Sequence, residues 1–250
     1  MLLKVPLEGD LGGLKIKIMK KIIIFLALFT TISTVAVYGQ VEKDTAKISV
    51  DVEADLVSSY VWRGIYQTGV SVQPALSLSA YGATLGAWGS TDFSTFAKEL
   101  DFYISYEIGG FSVSVTDYWW SGEGESFFKE RSGHYFEAGL SYTFPEKFPL
   151  SIGINTMFLG DGDKDEEGKQ RYSTYISASY PFPIGDTECE VGIGVSPWEG
   201  LYSDKFNVAT ISAKAAKKLK LSSEYSLPVF VEAIFSPAQD NAYLVFGVKF

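Results

Sequence analysis

Carboxylates recur at alternate positions along this chain: Asp51, Glu53 and Asp55 in one run, Glu99 and Asp101 followed by Glu107 in a second, Glu188 and Glu190 in a third, with Glu137 and Glu232 standing singly. Side chains two residues apart share one face of an extended strand. On that face the main bases are Arg63 and Arg171. So few bases cannot neutralise so many acids, and buried carboxylates must be either paired or hydrated, so the face they line has to be wet. A wet, acid-lined surface raises the local cation concentration and disfavours anions. Arg63 has two readings: one side of a transverse field that orients a passing solute, or a structural ion pair that pins the fold.

Other chemistries find little support. His134 is the sole histidine, and Ser132 lies two residues from it. Glu137 has the opposite parity from His134, and no strained nucleophile turn or oxyanion glycine cluster accompanies them, so the chain does not read as an acyl hydrolase or another enzyme. One His and the single Cys189 cannot build a zinc site without several carboxylates, and Cys189 reads as a small apolar strand residue without a disulfide partner. In "GDGDKDEEGKQ", Asp161, Asp163 and Asp165 have the first three spacings of a calcium-binding loop. Glu166 stands where that loop needs glycine, however, and Tyr172 where it needs a bidentate acid. The segment reads as a solvated external loop, with a weaker role in sharing divalent ions with lipopolysaccharide phosphates. No cofactor is implied.

The elements that position the acids have a period of two. In "ELDFYISYEI", Leu100, Phe102, Ile104, Tyr106 and Ile108 oppose Glu99, Asp101, Tyr103, Ser105 and Glu107, and "HYFEAGLSYTF" and "RYSTYISASYPF" repeat the pattern. About twelve such strands are expected, near 46–63, 70–81, 83–90, 99–108, 111–120, 134–144, 150–159, 171–182, 188–196, 206–216, 223–235 and 242–250. Short links alternate with longer polar ones. On the apolar register, Tyr60, Trp62, Trp119, Phe136, Phe158 and Tyr172 fall at the long-loop ends, and Tyr106, Phe111, Tyr142, Phe144, Tyr180 and Phe182 at the short-turn ends. Two aromatic belts around a band of aliphatic residues suit the two interfaces of a membrane. The expected fold is all-β, a transmembrane antiparallel up-and-down β-barrel, closed because an open sheet edge in lipid leaves backbone groups unpaired.

Residues 1–39 stand apart. Met19-Lys20-Lys21, the apolar stretch 22–37 and Val37-Tyr38-Gly39 read as a secretory signal peptide over 19–39, with 1–18 preceding the start that Met19 would supply. The barrel then comprises 40–250. The 250-residue chain has a formal net charge of −9, and since the leader holds five Lys against two acids, the remainder carries −12. That acid excess argues against nucleic acid as a partner. Lys214, Lys217, Lys218 and Lys220 are expected around a short-turn rim, snorkelling toward headgroups.

Residues 55–93, "DLVSSYVWRGIYQTGVSVQPALSLSAYGATLGAWGSTDF", carry Ser59-Tyr60-Val61-Trp62-Arg63-Gly64, then Val72-Gln73-Pro74, then Ala87-Trp88-Gly89-Ser90. This stretch resembles the opening of the Gcw_chp family of bacterial outer-membrane proteins, also described as TorF-like porins. The similarity extends over most of the chain after the leader. It implies location and architecture and brings no catalytic residues. Phe250 closes an alternating strand, and a terminal aromatic there resembles the signal that outer-membrane barrels present to their insertion machinery.

The expected function is an outer-membrane channel of a Gram-negative bacterium for passive diffusion of small cations or uncharged solutes, with membrane lipid and lipopolysaccharide as surroundings. The alternative is a closed barrel that acts through its external loops. Among these, "SGEGESFFKERSG" with Phe127 and Phe128 would either meet a partner or fold into the mouth as a plug.

Overall fold

The computed structural model describes residues 48–95, 98–120, 127–128, 133–145 and 147–250. The leader, and with it the expected signal peptide, lies outside the described residues. Twelve strands close into one antiparallel barrel: β1 (Ser49–Val57), β4 (Ser71–Ala80), β5 (Ala83–Asp92), β6 (Lys98–Ile108), β7 (Phe111–Trp119), β8 (His134–Thr143), β9 (Ser151–Gly160), β10 (Thr174–Ile184), β11 (Thr187–Ser196), β12 (Asn207–Lys220), β13 (Ser226–Ser236) and β14 (Asn241–Lys249). Each pairs with its sequence neighbour, and β1 closes the ring by pairing with both β4 and β14. Two short strands, β2 (Tyr60–Trp62) and β3 (Ile65–Thr68), pair only with each other, as a hairpin that is not part of the wall.

Alternation carries the apolar face outward. Val52 is 76% exposed, Ile104 56% and Leu244 72%, so the described residues leave most of this face uncovered. An apolar exterior of this extent on every strand is suited to lipid. At the closing seam the Phe250 N–H donates to the Ala54 carbonyl at 2.9 Å and the Ala54 N–H to the Phe250 carbonyl at 3.2 Å, so the last residue completes the ladder. One rim is tight. Tyr81-Gly82 has φ of 53° and 83°, and Gly109-Gly110 has 57° and 85°, the left-handed pairs that two-residue hairpins require.

Pro74 leaves a mark on the wall. It pairs with Ala54 on β1, but the β4–β5 register passes from Val72↔Thr91 to Ala75↔Trp88, leaving Gln73 and Pro74 without partners on β5. Proline has no N–H to donate to a ladder, so the interruption falls where it must.

The first strand is shorter than its alternation suggests. β1 ends at Val57, and the chain then turns into the barrel, so Tyr60 and Trp62 belong to an inner hairpin and not to an outward belt. The tenth strand also starts late, at Thr174, because Tyr172 takes a left-handed φ of 55°. Arg171 therefore stands in the preceding loop and is not a wall residue.

Candidate functional site

The inner hairpin is built around its turn. Arg63 (φ 51°) and Gly64 (φ 83°) occupy the two left-handed positions between β2 and β3. A Cβ at Gly64 would run into the Ala209 carbonyl and sit 2.7 Å from Ser236 Oγ, so the turn lies against the inner wall of β12 and β13. From there the hairpin crosses the lumen. Tyr60 reaches β5 and β6, with its ring 5.4 Å from Trp88 and its hydroxyl donating to Glu99 Oε1 at 3.3 Å. Tyr66 stacks on Tyr243 of β14.

Arg63 makes the central contact. Its Nη1 lies 2.5 Å from Glu137 Oε2 and its Nη2 2.9 Å from Oε1, a bidentate pair with β8 in which the Glu137 side chain is only 4% exposed. Nη1 also donates to the Tyr202 hydroxyl at 2.5 Å, and the Tyr118 hydroxyl donates to Glu137 Oε1 at 3.0 Å. The guanidinium carbon Cζ lies over the Trp62 and Tyr175 rings, 4.6 Å and 4.9 Å from their centroids. A planar fork matched to a carboxylate and stacked on aromatics is the setting in which arginine outperforms lysine. Of its two sequence readings, the structure places Arg63 in the ion pair.

The loops at this end pack around the hairpin. Tyr202, between β11 and β12, is fully buried beside Tyr175 and Ala209, with Trp62, Ile65 and Leu201 packed around them. Burial beside Glu137 raises its hydroxyl pKa, although the Arg63 charge opposes the rise. Asp163 is buried and accepts from Gln170 Nε2 at 2.5 Å and from the Ser173 N–H and hydroxyl, while Ser173 Oγ accepts the Leu201 N–H at 2.6 Å. Asp161 instead pairs with Lys164, and Asp165 accepts the Glu167 and Lys169 N–H groups. The three acids of the calcium-like loop thus point to separate partners, and among the described residues no group of three or more His, Cys, Asp or Glu converges on a metal.

The inward acids divide into two sets along the barrel axis. Glu99, Asp101 and Glu137 are buried under the hairpin, whereas Asp51, Glu53, Glu107, Glu188 and Glu190 are exposed inside the half nearer the tight turns. Asp55 and Glu232 are intermediate. Bases also stand in the open half. Lys214 lies across from Glu190 and Glu232 in register, with its ammonium 4.3 Å from the Phe230 ring, and Lys249 pairs with Glu53 at 2.9 Å. Lys214 therefore faces the lumen and is not a rim residue, and Lys218 shares its parity. Lys217 does sit at the rim, 2.8 Å from Asp186, whose carboxyl it holds below its usual range.

The family-like residues gather in and around this plug. Tyr60, Trp62, Arg63 and Gly64 form the hairpin, Trp88 meets it from β5, and Gln73 lies inward on β4, hydrogen-bonded to Ser71. Sequence reasoning missed the inward bases Lys214 and Lys249, the half-buried Tyr118 and the buried Tyr175 and Tyr202. For Lys249 the signal was available, since its parity is opposite to that of Phe250.

On the outer face, His134 Nδ1 lies 2.9 Å from Asp117 and Nε2 2.9 Å from the Phe127 carbonyl, so both ring nitrogens are engaged. Ser132 lies outside the described residues. Phe127 packs on Phe102, Trp119 and His134, all on the outward face, so this part of the long loop lies against the exterior and does not plug the mouth. Neither the models of known protein families nor the curated proteins include a match to this chain.

Proposed function

We propose that this barrel resides in a bacterial outer membrane and acts as a narrow channel for small cations or uncharged solutes, constricted by the β2–β3 hairpin. The observation that carries this reading is the division of the lumen. Its open half is lined by exposed carboxylates that would enrich cations, and its other half is crossed by a hairpin anchored through one buried ion pair. A lumen meant only as a filled core would have no use for five water-exposed acids on its inner face. The residues resembling the Gcw_chp family favour the same location, and the apolar exterior supports insertion in lipid.

Planar-bilayer recording of the refolded chain 40–250 under a KCl gradient tests the proposal. The native chain is expected to give small, cation-selective steps. A variant with residues 60–68 replaced by a short Gly-Ser linker is expected to give steps several-fold larger with the same selectivity. Silence from both, with each demonstrably folded, overturns the channel and leaves a closed barrel that works through its loops.

Cys189 supplies a second check, on the wall's orientation. It pairs with Phe182 on the outward parity, between the inward Glu188 and Glu190. In vesicles, an apolar maleimide is expected to label it faster than a charged one of similar size. A preference for the charged reagent would place this face in water.

A further inference from the structure

We propose that Glu99, Asp101 and Ser90 form a binding site for a divalent hard cation, of the calcium type, on the inner wall of β5 and β6 beneath the hairpin. Ser90 lies across from Glu99 in the β5–β6 register, and Asp101 follows two residues along the same inward face. All three are buried, with exposures of 5%, 7% and 5% for Ser90, Glu99 and Asp101. Glu99 and Asp101, two residues apart on that face, stand side by side on β6. Ser90 Oγ and Asp101 Oδ1 are both enclosed and have no hydrogen-bond partner.

Buried polar atoms are nearly always partnered, so an unpartnered hydroxyl and carboxylate oxygen at neighbouring positions of one face point to a ligand. Two desolvated carboxylates side by side also need positive charge, and the hairpin's arginine is committed to Glu137. One divalent ion balances both charges. The donors are all oxygen, four from the carboxylates and one from Ser90, which selects a hard cation and disfavours metals that prefer nitrogen or sulfur. Water or backbone carbonyls would supply the remaining positions that calcium's flexible shell takes. Tyr60, by donating to Glu99, links such an ion to the hairpin. The site does not depend on the channel reading, since a closed barrel would hold the ion equally well.

The test uses Tb3+, which takes the same oxygen ligands and emits when nearby aromatics such as Tyr60 and Trp88 are excited. The chain 40–250 is refolded in detergent with Ca2+, stripped and titrated with Tb3+. Saturable emission that Ca2+ displaces is expected. Glu99→Gln and Asp101→Asn should each weaken binding by about tenfold or more, as loss of a ligand or its close support does, and Ser90→Ala should weaken it several-fold. Removing the external loop acids with Asp161→Asn and Asp165→Asn should leave the emission unchanged. Absence of saturable emission from the native chain overturns the proposal. So does emission that survives both carboxylate changes, or that disappears with the loop acids. Heat-modifiable gel migration reports folding of each variant, and if Asp101→Asn does not fold, Glu99→Gln and Ser90→Ala decide the result. Because the readout is binding, a failed conductance experiment leaves the outcome intact.

Discussion

Replacing Arg63 with alanine is expected to lower the unfolding free energy of the barrel by about 3–5 kcal/mol, and to raise its ion conductance. The reason is Glu137. Its side chain is 4% exposed and held by both guanidinium nitrogens, so truncating the arginine leaves a carboxylate buried without its counter-charge. Tyr118 and Tyr202 still offer hydroxyls, but neutral donors cannot replace a bidentate cation. The variant has two ways to relieve the strain: Glu137 takes up a proton, or the hairpin lifts and admits water. The second opens the lumen. Equilibrium urea titration in lipid vesicles reads the stability, and bilayer recording reads the opening.

Two companion variants make that result specific. Lys249→Ala removes an ion pair whose partners are 47% and 52% exposed, and it should cost at most about 1 kcal/mol and leave the hairpin in place. Arg63→Met combined with Glu137→Leu removes both buried charges, and it should cost less than Arg63→Ala alone, because the penalty of the single change comes from the abandoned partner. A cost for Arg63→Ala as small as that for Lys249→Ala would mean that the hairpin is held by its aromatic packing, not by its charge.

Alternation made the wall legible in the sequence, because a strand with an apolar outer face and a polar inner face has to write both into its parity. That is why the outward Leu100, Phe102 and Ile104 and the inward Glu99 and Asp101 can be assigned from the sequence alone. The same rule failed between Ser59 and Arg63. Tyr60, Val61 and Trp62 keep a strand-like composition whether they face lipid or fill a lumen, since both environments reward large apolar rings. Only Arg63-Gly64 hints at the reversal, as a left-handed turn, and arginine is an uncommon first residue for one. Arg171 was misplaced for a related reason: a backbone reversal at Tyr172 leaves no trace in hydropathy. The plug's core was not legible at all, because Tyr118, Tyr175 and Tyr202 come from separate elements and meet only through closure of the ring.

The second large effect follows from the exterior. Leu140→Arg is expected to reduce the stability of the barrel in phospholipid vesicles by about 2–4 kcal/mol, the cost of a charge near the middle of an outward band. Leu140 sits between Val113 and Ile154, and the three are 48%, 49% and 39% exposed, with aromatic residues above and below them on the same face. Its neighbour provides the control. Ser141 faces the lumen beside Ser112 and Gly153, in the open half that Glu107 also lines, so an arginine there can reach water and an acid. Ser141→Arg should therefore change stability by no more than about 0.5 kcal/mol. The two positions are adjacent, and their local strand propensities change alike, so a difference between them can come only from which side of the wall each one faces. Equal costs would remove the case for lipid around this barrel, and with it the premise that its interior leads from one compartment to another.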